Sequence, residues 1–91
     1  MIADIIYRYH KISGFESRFT TGIDENSQKA VLKAEEEGKD ILDYLDDMAA
    51  AHRDVWDHFN MGYTDFIRTT EPRHHTLVQQ VLQHCFDKGD I

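Results

Sequence analysis

Two short runs with strand character, Phe15–Thr21 and Tyr63–Thr69, are separated by two amphipathic helical stripes. That arrangement constrains the chain more than any other feature it carries. In the first run Phe15, Ser17, Phe19 and Thr21 alternate with Glu16, Arg18 and Thr20, the period of a strand with one wet face. Strands joined through a helical crossover pair in parallel. The predicted order is helix–strand–helix–helix–strand–helix: an α/β fold, predominantly helical, with two short parallel strands and about four helices.

Each helix has its own local signals. Ile2, Ile5, Ile6, Tyr9 and Ile12 recur at helical spacing, predicting a first helix from about Ile2 to Ser13, and Gly14 offers the left-handed conformation that ends it. A second helix is expected from about Ser27 to Glu37, with Ala30, Val31 and Ala34 on one side and Gly38 at its end. Asp40 suits the N-cap of a long helix reaching about Asn60, with Gly62 read as its stop. Along it Ile41, Leu45, Met48, His52, Val55 and Phe59 alternate spacings of four and three. Thr70, with Pro72 in the first turn, opens the last helix. Its stripe is Leu77, Val78, Val81, Leu82, Cys85 and Phe86, and it ends near Gly89. Two parallel strands make too small a sheet to stand alone. The chain is therefore expected to become essentially a helical bundle or to self-associate, with an isologous homodimer the favoured solution.

No linker, low-complexity tract or internal repeat divides the chain, so residues 1–91 read as a single domain. With 41% apolar residues in 91, it can form one core of modest size. It has no apolar run near the roughly 20 residues that cross a bilayer. Nor does it show a basic segment followed by an apolar one, and the expected location is cytoplasmic, away from membranes. The lone cysteine, Cys85, excludes an intramolecular disulfide, and its place in an apolar stripe favours burial. Seventeen acids against ten Lys and Arg give a net charge of −7. Glu35, Glu36, Glu37, Asp40, Asp43, Asp46 and Asp47 crowd together, a face that would repel a phosphate backbone.

Metal and catalytic readings are weak. Adjacent His74 and His75 would diverge by about 100° on a helix, and one cysteine cannot supply a structural zinc framework. His84 and Cys85 diverge in the same way, so they do not make a base–nucleophile pair. Arg68 and Arg73 could clamp a carboxylate or phosphate, although ion pairs with local acids are the expected use. No catalytic and no metal residue is assigned.

Three segments carry a family resemblance. Tyr63 to Ile91 reads Y-T-D-F-I-R-T-T-E-P-R-H-H-T-L-V-Q-Q-V-L-Q-H-C-F-D-K-G-D-I. Thr20 to Lys29 reads T-T-G-I-D-E-N-S-Q-K, and Ala3 to Lys11 reads A-D-I-I-Y-R-Y-H-K. Together they resemble, in order and spacing, an internal stretch of the catalytic domain of methionyl-tRNA synthetases, class I aminoacyl-tRNA synthetases. The matching elements of that family are F-I-R-T-T with R-H and K-G-D-I, T-G-T-D-E-H-G-Q-K or T-G-T-D-E-N-S-Q-K, and A-D-V-L-A-R-Y-H-R. The resemblance implies a partial Rossmann-like domain from enzymes that activate methionine with ATP and Mg for tRNA charging. It also implies that Asp24, the acid of T-G-x-D, pairs with the α-ammonium of methionine, with Asn26 beside it as a second substrate-binding residue. Capping of the following helix is the bland alternative for Asp24, and Asn26 or Ser27 could be that N-cap.

One departure is physical. The family's matching strand is central and nearly all apolar, whereas Glu16 and Arg18 here would be costly between two covered faces. This strand is therefore expected to have one exposed face. The family's H-I-G-H and K-M-S-K-S elements lie outside the matched stretch. The expectation is a truncated derivative that binds no cofactor, contacts no tRNA, retains at most methionine as a ligand and is inactive alone. An interaction module, a homodimer or a partner-binding surface without catalysis, is the alternative.

Overall fold

In a computed structural model that describes residues 1–91, the chain runs α1 (Ile2–Ile12), β1 (Thr20–Ile23), α2 (Gln28–Glu37), α3 (Ile41–His58), β2 (Asp65–Arg68) and α4 (Pro72–Lys88). The predicted order of elements holds, as does the parallel pairing. Thr20 stands opposite Asp65, Thr21 opposite Phe66, Gly22 opposite Ile67 and Ile23 opposite Arg68.

The first strand, however, lies further along the chain than its alternation suggests. Phe15–Arg18 has no ladder partner, because β2 begins only at Asp65 and the parallel register matches it to Thr20. Pairing starts at Phe19, whose carbonyl accepts from Thr64 N–H at 2.8 Å and whose N–H donates to Thr64 Oγ1 at 2.9 Å. The alternation holds from Glu16 onward. Glu16, Arg18 and Thr20 are exposed while Ser17, Phe19 and Thr21 are half-buried, whereas Phe15, expected on the dry side, is exposed.

Caps explain most helix boundaries. Ser27 Oγ accepts from Lys29 N–H at the start of α2, and Asp40 Oδ1 accepts from Leu42 N–H at the start of α3. Gly38 and Gly89 close α2 and α4 in the left-handed conformation. Two assignments need correction. Helix α3 stops at Phe59, and Asn60, at φ +50°, makes a left-handed turn there, two residues before the Gly62 expected to stop it. The N-cap of α4 is Glu71 rather than Thr70, with Pro72 at the first helical position. Gly62 serves a different purpose. Its N–H donates to Asp4 Oδ1 at 2.6 Å, and an added Cβ would stand 2.8 Å from the Tyr7 ring, so α1 lies tightly against this turn.

The core sits between α2, α3 and β2. Ala34, Leu45, Ala49 and Phe66 are its buried apolar residues. Around Phe66, Trp56 and Tyr63 pack edge-on or tilted at 5.4 and 6.2 Å, and the Arg53 guanidinium lies 4.5 Å from its ring centre. Helices α1 and α4 bury none of their residues completely. Ile5, Tyr9 and Ile12 of α1 and Leu77, Val81 and Phe86 of α4 remain exposed. Cys85, expected to be buried, is only half-buried because nothing packs over the stripe that holds it. The molecule is correspondingly flat, 44 × 43 × 19 Å, with a radius of gyration of 17.0 Å. A closed domain of this length would have about 12 Å. No helix is long and apolar enough to cross a membrane.

Candidate functional site

The carboxyl ends of β1 and β2 lie side by side, since Ile23 and Arg68 are the last paired residues of each. In open α/β sheets this edge is where ligands bind. Two loops leave it: Asp24–Ser27 into α2, and Thr69–Glu71 into α4.

Asp24 is the first residue beyond β1 and is exposed. Its Oδ1 accepts from Asn26 N–H at 3.0 Å, closing a turn on itself, while the cap of α2 is supplied by Ser27. Of the two candidates for that cap, Asn26 is thus excluded, and Asp24 is not consumed by the helix. Asn26 is also exposed. Asp24 borders two clefts at this edge. One, of about 360 Å³, is lined by Ile23, Ala30, Tyr44, Leu45 and Met48, with Lys29 and Lys33 also contributing. The other, of about 640 Å³, is polar and is bordered by Asn26, Thr69, Thr70, His74 and His75. A carboxylate between an apolar and a polar cavity can hold a cationic group whose remainder is apolar.

The arginines that could have gripped an anion are otherwise engaged. Arg68 donates to Glu25 Oε1 at 2.8 Å and to Asp46 Oδ1 at 2.7 Å. Burial works against its charge, but the Asp46 and Glu25 carboxylates outweigh that and raise its pKa. Arg73 grips Asp65 in a fork at 2.8 and 3.0 Å, bonds Glu71, and reaches the Phe66 carbonyl at 2.8 Å. These carboxylates push the Arg73 pKa up, and Arg73 in turn lowers those of Asp65 and Glu71. The adjacent rings of His74 and His75 stand 6.4 Å apart, and no three His, Cys, Asp or Glu side chains converge on a point.

Sequence reasoning overlooked Glu25, the one buried charged residue of the chain. Its carboxylate accepts from Arg68, from Thr70 N–H at 3.3 Å and from the Thr70 hydroxyl at 2.5 Å. Its N–H donates to Thr69 Oγ1 at 2.8 Å. A signal was present in the motifs themselves. Glu follows the Asp in T-T-G-I-D-E, just beyond the first predicted strand, and Arg stands in F-I-R-T-T within the second, an acid and a base near two segments predicted to pair.

Comparison with known proteins gives the family of the chain. The family model described as tRNA synthetases class I (M) matches residues 1–91. The chain is 38% identical over 89 residues to the methionine–tRNA ligase of Thermosynechococcus vestitus, covering 98% of this chain and 17% of that protein. It is 39% identical over 88 residues to the corresponding ligase of Halalkalibacterium halodurans and 41% identical over 88 residues to that of Bacillus subtilis. Each of these two matches covers 97% of this chain and 13% of the relative. The chain thus spans 13 to 17% of the length of these curated relatives. Matched along its whole length, it belongs to the methionyl group of the class I tRNA synthetase family.

Proposed function

We propose that these residues form the amino-acid-recognising part of a methionine-activating domain, in which Asp24 accepts the α-ammonium of methionine and Asn26 supplies a second polar contact. The observation that carries this reading is the placement of Asp24. Its carboxylate is exposed at the carboxyl end of a parallel strand, between an apolar and a polar cleft, and is not used to cap α2. The relatives' names supply the substrate class: they are methionine–tRNA ligases. In this reading β1 and β2 are part of a larger Rossmann-like parallel sheet in the cytoplasm. The stretch alone does not form an adenylate, because Arg68 and Arg73 are tied to carboxylates and leave the strand ends without a phosphate clamp. ATP and Mg therefore belong to the wider domain, and the acidic surface of α2 and α3 keeps tRNA away from this part.

A two-dimensional amide spectrum of labelled protein, titrated with methionine, tests the assignment. Shifts centred on Asp24, Glu25 and Asn26 are expected, and Asp24→Ala should abolish them. Methionine binding that survives Asp24→Ala sinks the assignment.

A second reading is favoured by a separate observation. The apolar stripes of α1 and α4 are uncovered, with Ile12 at 88% and Phe86 at 65% exposure. Under that reading the chain is an interaction module, and these faces are shared in an isologous homodimer. Sedimentation velocity across a concentration series decides. A concentration-dependent dimer supports it, and a monomer throughout removes it.

A further inference from the structure

The Glu25 side chain is 1% exposed, yet it belongs to a loop at the molecule's surface. A carboxylate in that position is costly unless its oxygens are paired and bonded. Here they are: one oxygen meets the Arg68 guanidinium, and the other takes the Thr70 N–H and hydroxyl. Arg68 extends the connection to Asp46 on α3, and its own N–H is held by Glu71 Oε1 at 3.2 Å. The Glu25 carboxylate therefore stitches the two loops at the strand ends together, beside the bond from Glu25 N–H to Thr69 Oγ1. Such a pair contributes little net stability compared with apolar residues of the same size. What it does provide is geometry. Asp24 has Ile23 on one side, locked in the ladder, and Glu25 on the other, bonded to Thr69, Thr70 and Arg68.

We infer that Glu25 and Arg68 are positioning residues: their ion pair, built on the buried Glu25 carboxylate, holds the backbone of Asp24 in its binding geometry before a ligand arrives. The inference rests on the reading that Asp24 receives the ammonium group. Pinning both neighbours removes backbone freedom that a ligand would otherwise have to remove on binding, which raises affinity without adding a contact. Without the pair, methionine should bind about 5- to 30-fold more weakly, the equivalent of re-ordering one backbone residue.

The decisive variant is the double replacement Glu25→Leu with Arg68→Met, which removes both charges and keeps apolar bulk. Urea unfolding, ¹⁵N order parameters of the free protein and methionine titration are measured on it and on the wild type. The expected result is unfolding at the wild-type midpoint or above, low order parameters at Asp24 and Asn26, and the stated loss of methionine affinity. Asp46→Asn, which touches Arg68 but not the loop, should leave Asp24 as ordered as in the wild type. Asp24 remaining rigid in the double variant would overturn the inference, and so would a double variant that fails to fold, since the pair would then be structural. If the wild type itself ignores methionine, the Asp24 assignment fails, while the order parameters still decide whether the pair positions the loop.

Discussion

Phe66→Ala is the perturbation whose size can be worked out most directly. Phe66 is 7% exposed and is the largest of the four buried apolar residues. It fills the space between Trp56, Tyr63 and the Arg53 guanidinium. Truncating a buried Phe costs about 3–5 kcal/mol, through lost transfer energy and the cavity that remains. Chains of this length are stable by about 5–14 kcal/mol at the ordinary 0.05–0.15 kcal/mol per residue. With so few residues buried and so large a radius of gyration, the lower end applies here. The substitution therefore removes most of the stability.

The assay comes with the protein. Trp56 is its single tryptophan and stands 5.4 Å from the Phe66 ring, so its fluorescence reports on the site. In urea, with a slope of about 1–1.5 kcal/mol/M, the midpoint should fall by about 2–5 M. That leaves Phe66→Ala with only about 0–2 kcal/mol, so that it unfolds in buffer or in the first increments of urea. Phe66→Leu, which keeps more of the volume, should lose less than the Ala variant and stay folded. An Ala variant within about 0.5 kcal/mol of wild type would refute the reasoning, since Phe66 would then not be the centre of the core.

Two further outcomes are expected. An added Cβ at Gly22 would lie 2.1 Å from the Ile67 carbonyl oxygen, part of the partner strand's backbone and unable to rotate away. Gly22→Ala should cost at least the ~1–3 kcal/mol of an overpacked site and weaken the β1–β2 amide protection in hydrogen exchange; unchanged protection would disprove the close approach. The pH dependence has a defined sign. The Gly62 N–H and then Arg8 hold the Asp4 carboxyl below its ordinary 3.8, and Arg73 lowers Asp65 and Glu71 in the same way. A carboxylate with a depressed folded pKa contributes stability that is complete above the unfolded value and is lost as pH falls through the folded one. Urea midpoints should therefore fall as pH drops below about 4.5, and less steeply in Asp4→Asn; parallel curves for the two proteins would count against the Asp4 contribution.

Much of this architecture was legible because its signals are local. Ser27 and Asp40 cap the helices that follow them, Gly38 and Gly89 end theirs, and the stripe of α3 reaches the core at Leu45. The position of Asp24 just past β1 was legible too, from the T-G-x-D motif. Less local features were misplaced. Phe15–Thr21 alternates like a strand, but whether such a run joins a ladder depends on where its partner begins, and β2 begins at Asp65. Gly62 has the composition of a helix stop, whereas its lack of a side chain admits Tyr7 and Asp4 from a helix more than fifty residues earlier. Cys85 reads as buried because a stripe indicates which face is apolar and not whether anything covers it.

The sequence by itself determined the helices, the caps at Ser27 and Asp40, the order of elements and the family, since these depend on residue type and spacing along a few turns of chain. Only the tertiary structure decided which apolar faces close and which stay open, and that Glu25 meets Arg68, 43 positions further along the chain. The reason is physical: a buried charge is tolerated only where the register of two distant strands brings its partner within bonding distance.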